Sequence, residues 1–386
     1  MSPNRSGGLT VGLHGPDRRS QCRTTYAGQH AKELADVVQQ KQALSGRVAV
    51  YGAYGHTARF VAAELVKRGL RPVLSGRDGG KIEAVAADVG ASDFHVAVVD
   101  DSESLDRAID GCTVVVNCAG PFAESAPALI DAAARAEVHY IDVTGEILVA
   151  LETFEKYKER FRDASHVVLP AFGFFGALGD LAATTLADDW DDVEDVTLAV
   201  ALDSWQPTRG TRLAGERRAG RRLVFVDGRV QLRTADDPIP TGHWDFPPPF
   251  GRQEVVGELT TVDVVTVSRH LAKNRIDAFL NLAPLRDLTN PDTPTPQAAD
   301  ADGRSAQIYC LDVLVCRGEE TRRLAVHGKD IYAVTAPIVV EAVERLLDGR
   351  HRRNGLGTAG EIFDAGDFLR ALQANGSLRV VEPSRS

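Results

Sequence analysis

The stretch VAVYGAYGHTARFVAAELVKRG, residues 48–69, places an apolar strand, a glycine loop and an amphipathic helix in direct succession. Gly52, Gly55 and Ala58 give the spacing G-x-x-G-x-x-A, one residue longer than the usual dinucleotide fingerprint and ending in alanine. The first glycine permits a tight turn, the second lets backbone approach a pyrophosphate, and the small third residue lets helix and strand touch. Free N–H groups at the helix start suit phosphates. The unit predicts dinucleotide binding; the alternative is a glycine-rich turn that binds nothing.

Strand-like and helix-like segments alternate from Arg47 to about residue 175. The later apolar strands are PVLSG, FHVAVV, TVVVN, HYIDV and HVVLP. Buried β-branched runs that alternate with helices indicate a parallel sheet covered on both faces. We therefore predict an α/β fold with a Rossmann-type, doubly wound parallel sheet. In such a sheet a ligand lies beyond the carboxyl ends of the strands, where the strand order switches.

The alternation stops after Asp180. The runs VTLAVAL, LVFV-DG-RVQL, VDVVTVS, IYCLDVLVC and RRLAV look like strands, and Asp227-Gly228 is a strong hairpin signal. They predict a second α+β domain with a mainly antiparallel sheet, which would form a substrate wall over the first. The predicted organisation is a flexible tail with a short helix (1–45), the Rossmann domain (46–182), the α+β domain (183–330) and a C-terminal helical segment returning to the Rossmann domain (331–386).

Composition excludes several classes of function. A net charge of −10 argues against general nucleic-acid binding, which needs a basic surface. No apolar run approaches the roughly 18 residues of a membrane span, so no integral membrane segment is expected. The five cysteines contain no C-x-x-C pair, and no metal-ligand cluster is visible. We expect a cytoplasmic protein with reduced thiols and no metal; the sequence leaves open whether it forms a homodimer.

The end of the second strand predicts which nucleotide binds. NAD-specific loops place an acidic residue there for the ribose 2′-hydroxyl, whereas this chain has Ser75, Gly76 and Arg77. Ser75 can donate to a 2′-phosphate, Gly76 lets backbone come close, and Arg77 offers its planar fork, with added charge from Lys81. Asp78 competes, since it could serve an NAD ribose or cap the next helix. The pattern favours NADP(H).

Several motifs together resemble a known family. They are the opening stretch, LSGRD, NCAGPF, YIDVTGE and PAFGFFGALGDL, and in this order they resemble the saccharopine dehydrogenase-like oxidoreductases. The similarity is greatest to the short branch that includes trans-acting enoyl reductases of polyketide pathways. It covers roughly 47–182 and continues weakly through Arg209-Gly210-Thr211 and TAPIVVEAVERLL. Around Asp180 the chain departs from the pattern, because a proline usually precedes the aspartate. The resemblance implies a Rossmann domain, an inserted α+β domain and hydride transfer with a nicotinamide cofactor.

Cofactor contacts are predicted in the glycine loop and at the carboxyl ends of the strands. Gly120 would let backbone approach the ribose or nicotinamide, and the alternative is an ordinary Gly-Pro turn. Glu146 would bind a substrate or cap the following helix. The predicted cofactor-binding residues are Gly52, Tyr54, Gly55, His56, Thr57, Ala58, Ser75, Gly76, Arg77, Lys81, Asp100, Asn117, Ala119, Gly120, Pro121, Phe122, Asp142, Thr144 and Gly145.

The proton donor cannot be assigned from the sequence. Hydride transfer to C=C or C=N needs one donor near the acceptor and a pocket that orients the substrate. Candidates are Tyr140, Thr211 and His270, with His56 a weaker one that faces phosphate or solvent. Tyr140 can equally be a core residue, and His270, placed at the end of a strand, can be a satisfied structural histidine. Water is a further alternative.

An arginine-rich run, RGTRLAGERRAGRR at 209–222, holds six arginines and one glutamate. It is either a solvated helix face or a surface that recognises an acidic partner, such as a substrate carboxylate, a phosphate or an acyl carrier protein. We expect an NADP(H)-dependent oxidoreductase that reduces an enoyl or imine bond of a biosynthetic intermediate, either a small molecule or bound to an acyl carrier. The alternatives are a saccharopine-type amino-acid dehydrogenase and a non-catalytic NADP-binding sensor.

Overall fold

A computed structural model describes residues 46–381 apart from 219 and 260. The predicted tail, 1–45, lies outside the described residues. The strands are β1 (Arg47–Tyr51), β2 (Arg71–Gly76), β3 (Asp93–Val96), β4 (Val114–Asn117), β5 (His139–Asp142), β6 (Val167–Leu169), β7 (Asp195–Leu202), β8 (Arg222–Val226), β9 (Arg229–Arg233), β10 (Thr241–Phe246), β11 (Gly251–Val256), β12 (Arg275–Asn281), β13 (Ile308–Arg317), β14 (Glu320–Lys329), β15 (Gly355–Leu356) and β16 (Arg379–Val381).

Helices separate most of these strands. They are α1 (His56–Lys67), α2 (Gly79–Val89), α3 (Ser102–Ile109), α4 (Phe122–Ala136), α5 (Ile147–Tyr157), α6 (Ala177–Ala187), α7 (Arg209–Arg218), α8 (Asp263–Ser268), α9 (Leu282–Thr289), α10 (Thr335–Leu347), α11 (Ala359–Ile362) and α12 (Ala365–Ala374). Within the described part of the chain, no helix is long and apolar enough to cross a membrane.

The first sheet has seven parallel strands in the order β15-β6-β5-β4-β1-β2-β3. Successive residues of β1 enter different cores: Val48 and Val50 pack in one and Ala49 in another. Burial of both faces explains why the strands are continuous apolar runs. The predicted Rossmann-type doubly wound sheet is confirmed.

The register of the parallel strands aligns the ends that bear the motifs. Tyr51 is paired with Ser75 on one side and with Asn117 on the other, and Asn117 is paired with Asp142. The segments that follow these four residues therefore leave the sheet side by side. The order changes direction at β1, so the crevice opens between β1 and β4.

The second sheet has nine strands, with β10-β11-β12-β7-β13-β14-β16 as its main order and the β8–β9 hairpin attached to β12. Its strand pairs are antiparallel except β12 with β7, which confirms the predicted second, mainly antiparallel α+β region. Asp227 and Gly228 have φ values of +52° and +69°, as a two-residue hairpin of the predicted kind requires.

One predicted strand is wrong. VDVVTVS forms α8, in which Asp263–Val267 are all buried. A short apolar run that is buried all round has no period that separates helix from strand. Its consequence for the site is that His270 follows a helix and does not end a strand.

The C-terminal segment contacts both sheets. Arg68, the residue that ends α1, donates to Glu341 and Glu344 of α10 at 3.1 and 2.6 Å, which holds α10 against the first helix of the nucleotide unit. Farther along, β15 extends the first sheet and β16 extends the second. The domain boundaries at 182 and 330 stay predictions, since the last residues are shared between the sheets.

Candidate functional site

The glycine loop is held against the end of β4. Gly52 has a φ of +78°, and a Cβ built there would lie 2.7 Å from the Cβ of Ala119. The N–H groups of Gly52 and Ala53 donate to the Ser75 carbonyl at 2.8 and 3.0 Å. Gly55 precedes α1, and among the described residues no side chain caps that helix. The first amides of α1 are therefore available to an anion, as the predicted phosphate site requires.

The first turn of α1 is more enclosed than the sequence suggested. Ala58 is buried and Thr57 is partly buried. The ring of His56 packs edge-on against Phe60 and Tyr332, with centroid distances of 5.2 and 5.5 Å. Its Nε2 atom is buried with no partner among the described residues, and burial lowers the pKa of the imidazole. This nitrogen is shielded from solvent, which favours the neutral ring.

Arg77 is the free cation at the end of β2. It is exposed and has no ion-pair or hydrogen-bond partner among the described residues. Asp78 accepts from the Lys81 N–H at 3.2 Å, which caps α2, and its carboxylate lies 2.9 Å from the Lys81 ammonium. The ammonium lowers the pKa of Asp78. Asp78 thus has the capping role, and Lys81 brings a charge that is already paired.

Tyr54 covers the adjoining backbone. A Cβ at Gly76 would lie 3.1 Å from Tyr54 Cε1, so a larger residue there would have to push the ring aside by a few tenths of an ångström. Ser75 is buried, and its Oγ donates to the Val50 carbonyl at 3.4 Å, so the structure gives this hydroxyl a main-chain partner. Burial raises the pKa of Tyr51, and the neighbouring Tyr54 and Asp100 raise it further. Asp100 follows β3 and is exposed.

A buried network joins the ends of β4 and β5. Asn117 donates to Ser125 Oγ and Tyr140 Oη at 3.0 and 3.2 Å, and Tyr140 donates to Asp142 at 2.9 Å. Asp142 also accepts from the N–H groups of Thr144 and Ala171. Burial raises the pKa of Asp142 to about 6.

Tyr140 and Asp142 have a structural role in this network. Tyr140 is completely buried, and its hydroxyl proton is already donated to Asp142, so a substrate cannot reach it. This placement favours the core alternative for Tyr140. Asp142 fixes the two loops that border the crevice without entering it.

The NCAGPF and VTGE segments are tied together at the rim. Glu146 Oε1 accepts from the Phe122 N–H at 3.0 Å, so it caps the start of α4, a helix other than the one it precedes. Thr144 Oγ1 accepts from the Glu146 N–H at 3.0 Å. Gly120, whose peptide bond to Pro121 is cis, is exposed.

The space beside these glycines is open. A Cβ at Gly120 would meet only the Phe122 ring, at 3.8 Å. Gly145 is exposed, and a Cβ there would meet no described atom within 4 Å. Neither glycine is required by protein contacts, which leaves room for a ligand at this rim.

Helix α7 of the second region contacts residues on two sides of the crevice, and we call it the roof helix. Arg217 Nη1 lies 3.7 Å from Glu146 Oε1 on the β5 side. At the other end, Thr211 Oγ1 lies 2.8 Å from Tyr332 Oη, whose ring packs against His56 beside the glycine loop. Thr211 is therefore placed with the glycine loop, although it is distant from it in sequence.

Tyr332 was missed by the sequence reasoning. It lies just before α10 and contacts both the nucleotide loop and the roof. No local spacing marks it, because its neighbours come from residues far away in the chain. Its one sequence signal is its place just ahead of the TAPIVVEAVERLL segment.

His270 is paired with Asp180 of α6 and not with the residues of the crevice described above. Its Nε2 lies 2.6 Å from Asp180 Oδ1, and Asp180 Oδ2 accepts from the Gly360 N–H at 2.7 Å. Burial opposes protonation of His270, but the Asp180 carboxylate outweighs it and raises the pKa. The pair joins α6 to α11, which favours the structural alternative. Among the described residues, no group of three or more possible ligands could hold a metal.

Comparisons with known proteins agree with this geometry. Residues 48–169 match the family model of the saccharopine dehydrogenase NADP-binding domain. A trans-acting enoyl reductase of Mycobacterium ulcerans is 28% identical over 140 residues, 35% of this chain and 34% of the relative. One of Mycobacterium tuberculosis (strain H37Rv) is 27% identical over 140 residues, with the same coverage. The chain thus spans about a third of the length of the curated relatives it matches.

The solved structures support the fold as a whole. Apo saccharopine dehydrogenase (L-Glu forming) from Saccharomyces cerevisiae aligns with a TM-score of 0.61 at 12% identity, over 88% of this chain and 100% of that one. That likeness shows the two-region architecture, and the family match confirms both the predicted resemblance and the NADP-binding domain. Residues 48–169 are thus similar to the NADP-binding domain of saccharopine dehydrogenases.

Proposed function

We propose that this protein is an NADPH-dependent reductase of an enoyl or imine bond in a biosynthetic intermediate, with an enoyl thioester as the first substrate to test. One observation carries the proposal: α7 closes over the strand ends of an NADP-binding domain at both ends of the crevice, through Thr211–Tyr332 and Arg217–Glu146. A helix above the nicotinamide end would partly shield it from water, which suits hydride transfer. The names of the mycobacterial relatives favour the enoyl substrate.

The residues at the crevice fit the cofactor. The turn at Gly52 requires glycine, and within the described part of the chain the start of α1 lacks a side-chain cap and Arg77 has no competing partner. When bound, the reduced nicotinamide supplies the hydride. The chain would hold the phosphates at the glycine loop and α1, and the ring beside Gly120 and Gly145. Tyr140 and His270 are committed to buried partners, so a proton would come from water or a hydroxyl at the roof.

The arginine-rich run divides into structural and free members. Arg222 is buried and bonds Glu258 at 3.2 Å and the Asp237 carbonyl at 2.9 Å, so the expectation that it binds a partner is abandoned. Arg212 donates to the carbonyls of Asn290 and Thr293.

Three exposed members remain without a carboxylate partner among the described residues. In this part of the structure Arg209 and Arg218 make no ion pair or hydrogen bond through their side chains, and the Arg221 guanidinium bonds only main-chain carbonyls of α7. We name Arg209, Arg218 and Arg221 the arginine face. It lies on the roof helix and just after it, where an acidic acyl carrier protein would deliver a tethered thioester to the crevice.

The test compares one enoyl group on two carriers. NADPH oxidation is followed with a short enoyl chain on an acyl carrier protein and on pantetheine. Reversing the arginine face to glutamate should lower kcat/KM for the carrier-bound substrate by about tenfold or more, as expected for loss of electrostatic attraction. The pantetheine substrate should react as before, and added salt should weaken only the carrier reaction.

A charge-matched control reverses Arg350, Arg352 and Arg370, which are exposed and make only surface ion pairs. Equal losses in the two triple variants, or equal activity on both substrates after reversal of the arginine face, would contradict carrier docking. NADPH binding without oxidation of any enoyl, imine or carbonyl substrate would instead support the sensor alternative.

The amino-acid dehydrogenase alternative receives less support. That chemistry needs several cations that converge on substrate carboxylates. Arg217 is paired with Glu146, and Arg222 is buried with Glu258. Reduction of NADP⁺ with amino-acid substrates, in the absence of any enoyl or imine reduction, would restore it.

A further inference from the structure

A cluster of hydroxyl groups lies at the start of α7. Tyr332 Oη accepts from Trp205 Nε1 at 2.8 Å and from the Thr208 N–H at 3.3 Å. Thr211 Oγ1 lies 2.8 Å from Tyr332 Oη and 3.0 Å from Thr208 Oγ1. Thr208 Oγ1 also accepts from the Thr211 N–H at 3.1 Å, as the cap of α7.

The cluster has one more hydroxyl proton than it has contacts between hydroxyl groups. Three hydroxyl groups carry three protons, and only two contacts join one hydroxyl to another. Because two N–H groups occupy the Tyr332 oxygen, its proton goes to Thr211. When Thr208 also donates to Thr211, both protons are satisfied. The proton of Thr211 then has no acceptor among the described residues.

The Thr211 hydroxyl lies where its unpaired proton could meet a ligand in the crevice. The helix that carries it is the roof, and its hydroxyl partner Tyr332 packs against His56 beside the glycine loop. Thr211 is only partly buried. On the same face of α7, four residues later, exposed Gly215 leaves open space, since a Cβ there would meet no described atom within 4 Å.

We propose that Thr211 donates a hydrogen bond to the substrate carbonyl, oriented by Tyr332 and Thr208 as positioning residues. This inference rests on the proposed reduction of an enoyl thioester. The bound reduced cofactor would supply the hydride for the new C–H bond at the β-carbon of the thioester and would be oxidised to NADP⁺. The C=C electron pair moves toward the carbonyl, giving an enolate oxygen that accepts the Thr211 proton in a hydrogen bond. A proton taken up from solvent then adds to the α-carbon, while Thr211 keeps its own proton.

The experiment separates substrate from cofactor. Thr211→Val removes the donor at nearly constant volume, and Thr211→Ser restores it. Thr185→Val is the matched control, because the Thr185 hydroxyl is partly buried and bonds only a carbonyl of its own helix. Two readouts are used with full-length protein: kcat/KM for enoyl-pantetheine reduction, and calorimetric affinity for the saturated acyl-pantetheine in the presence of NADP⁺. The saturated thioester keeps the carbonyl but cannot be reduced.

Thr211→Val should lower kcat/KM by about ten- to a hundredfold, since a donor to developing charge is worth that much. It should also weaken the saturated thioester severalfold, leave NADP⁺ affinity within about twofold, and be rescued by Thr211→Ser. Equal thioester affinity and rate in wild type and Thr211→Val would overturn the proposal. So would an equal loss of NADP⁺ affinity, or a loss confined to Thr208→Val, which would assign the proton elsewhere. Thr211-dependent thioester binding without enoyl reduction would refute the proposed function and support the donor.

Discussion

Replacement of Arg77 by alanine should change cofactor choice without changing the fold. Arg77 is exposed at the end of β2 and has no partner among the described residues, so its removal breaks no internal bond. The same turn bears one acidic group, Asp78, and that carboxylate is engaged with Lys81. The 2′-phosphate of NADPH is therefore expected to meet an uncompensated guanidinium.

The magnitude follows from this exposure. A hydrogen bond to a charged group contributes about 1.5–3 kcal/mol, and solvent competition at an exposed site favours the lower end. Each 1.4 kcal/mol is about tenfold in affinity, so Arg77→Ala should weaken NADPH by about ten- to thirtyfold. NADH has no 2′-phosphate and should bind almost unchanged. Lys81→Ala should have a smaller effect, because its charge is shared with Asp78.

Nicotinamide fluorescence titrations of wild type, Arg77→Ala and Lys81→Ala with both cofactors measure these effects. Thermal melting without cofactor should be the same for wild type and Arg77→Ala. The reasoning is refuted if Arg77→Ala weakens NADH as much as NADPH, or if wild type already prefers NADH. A larger loss from Lys81→Ala than from Arg77→Ala would move the phosphate along the turn.

Three further predictions concern the crevice and its supports. Gly120→Val should leave the melting temperature nearly unchanged, since only the Phe122 ring lies near the new side chain, yet weaken NADPH by about tenfold or more, measured by titration; normal binding would place the ring elsewhere. Glu146→Gln weakens the attraction between floor and roof and should raise KM for substrate more than it changes kcat, which steady-state kinetics measures. Asp180 raises the pKa of His270 in the folded protein above the ordinary value of 6.5, so the His270–Asp180 pair stabilises the fold. This contribution to the free energy of unfolding should be full below pH 6.5 and lost as the pH rises through the folded pKa. Urea unfolding of wild type and Asp180→Asn over this pH range tests the sign, and parallel curves of stability against pH would contradict it.

The sequence could predict those parts of the site whose residues lie close together along the chain. The loop at Gly52 and the turn at Arg77 each combine their residue types within one strand and the segment that follows, and the parallel register brings those segments together. Tyr332 could not be found in this way, because its partners, His56 and Thr211, come from two other parts of the chain. VDVVTVS was assigned to a strand because the segment is apolar and buried on every side. Such a run has no alternation of apolar and polar residues that would distinguish a helix from a strand.

The unpaired cationic side chains lie at two different ends of the crevice. Among the described residues, no carboxylate pairs with Arg77 at the β2 end or with the arginine face (Arg209, Arg218 and Arg221) at the roof. Between them, the acidic side chains are engaged: Asp142 binds main-chain amides within the fold, and Glu146 caps α4 beneath Arg217. Burying a charged group costs free energy unless the group is paired. The section between the two cationic regions therefore suits the uncharged nicotinamide of NADPH and a neutral thioester. The two free cationic groups would then bind the phosphate of the cofactor and the acidic carrier of the substrate, one at each end of the path that the hydride must bridge.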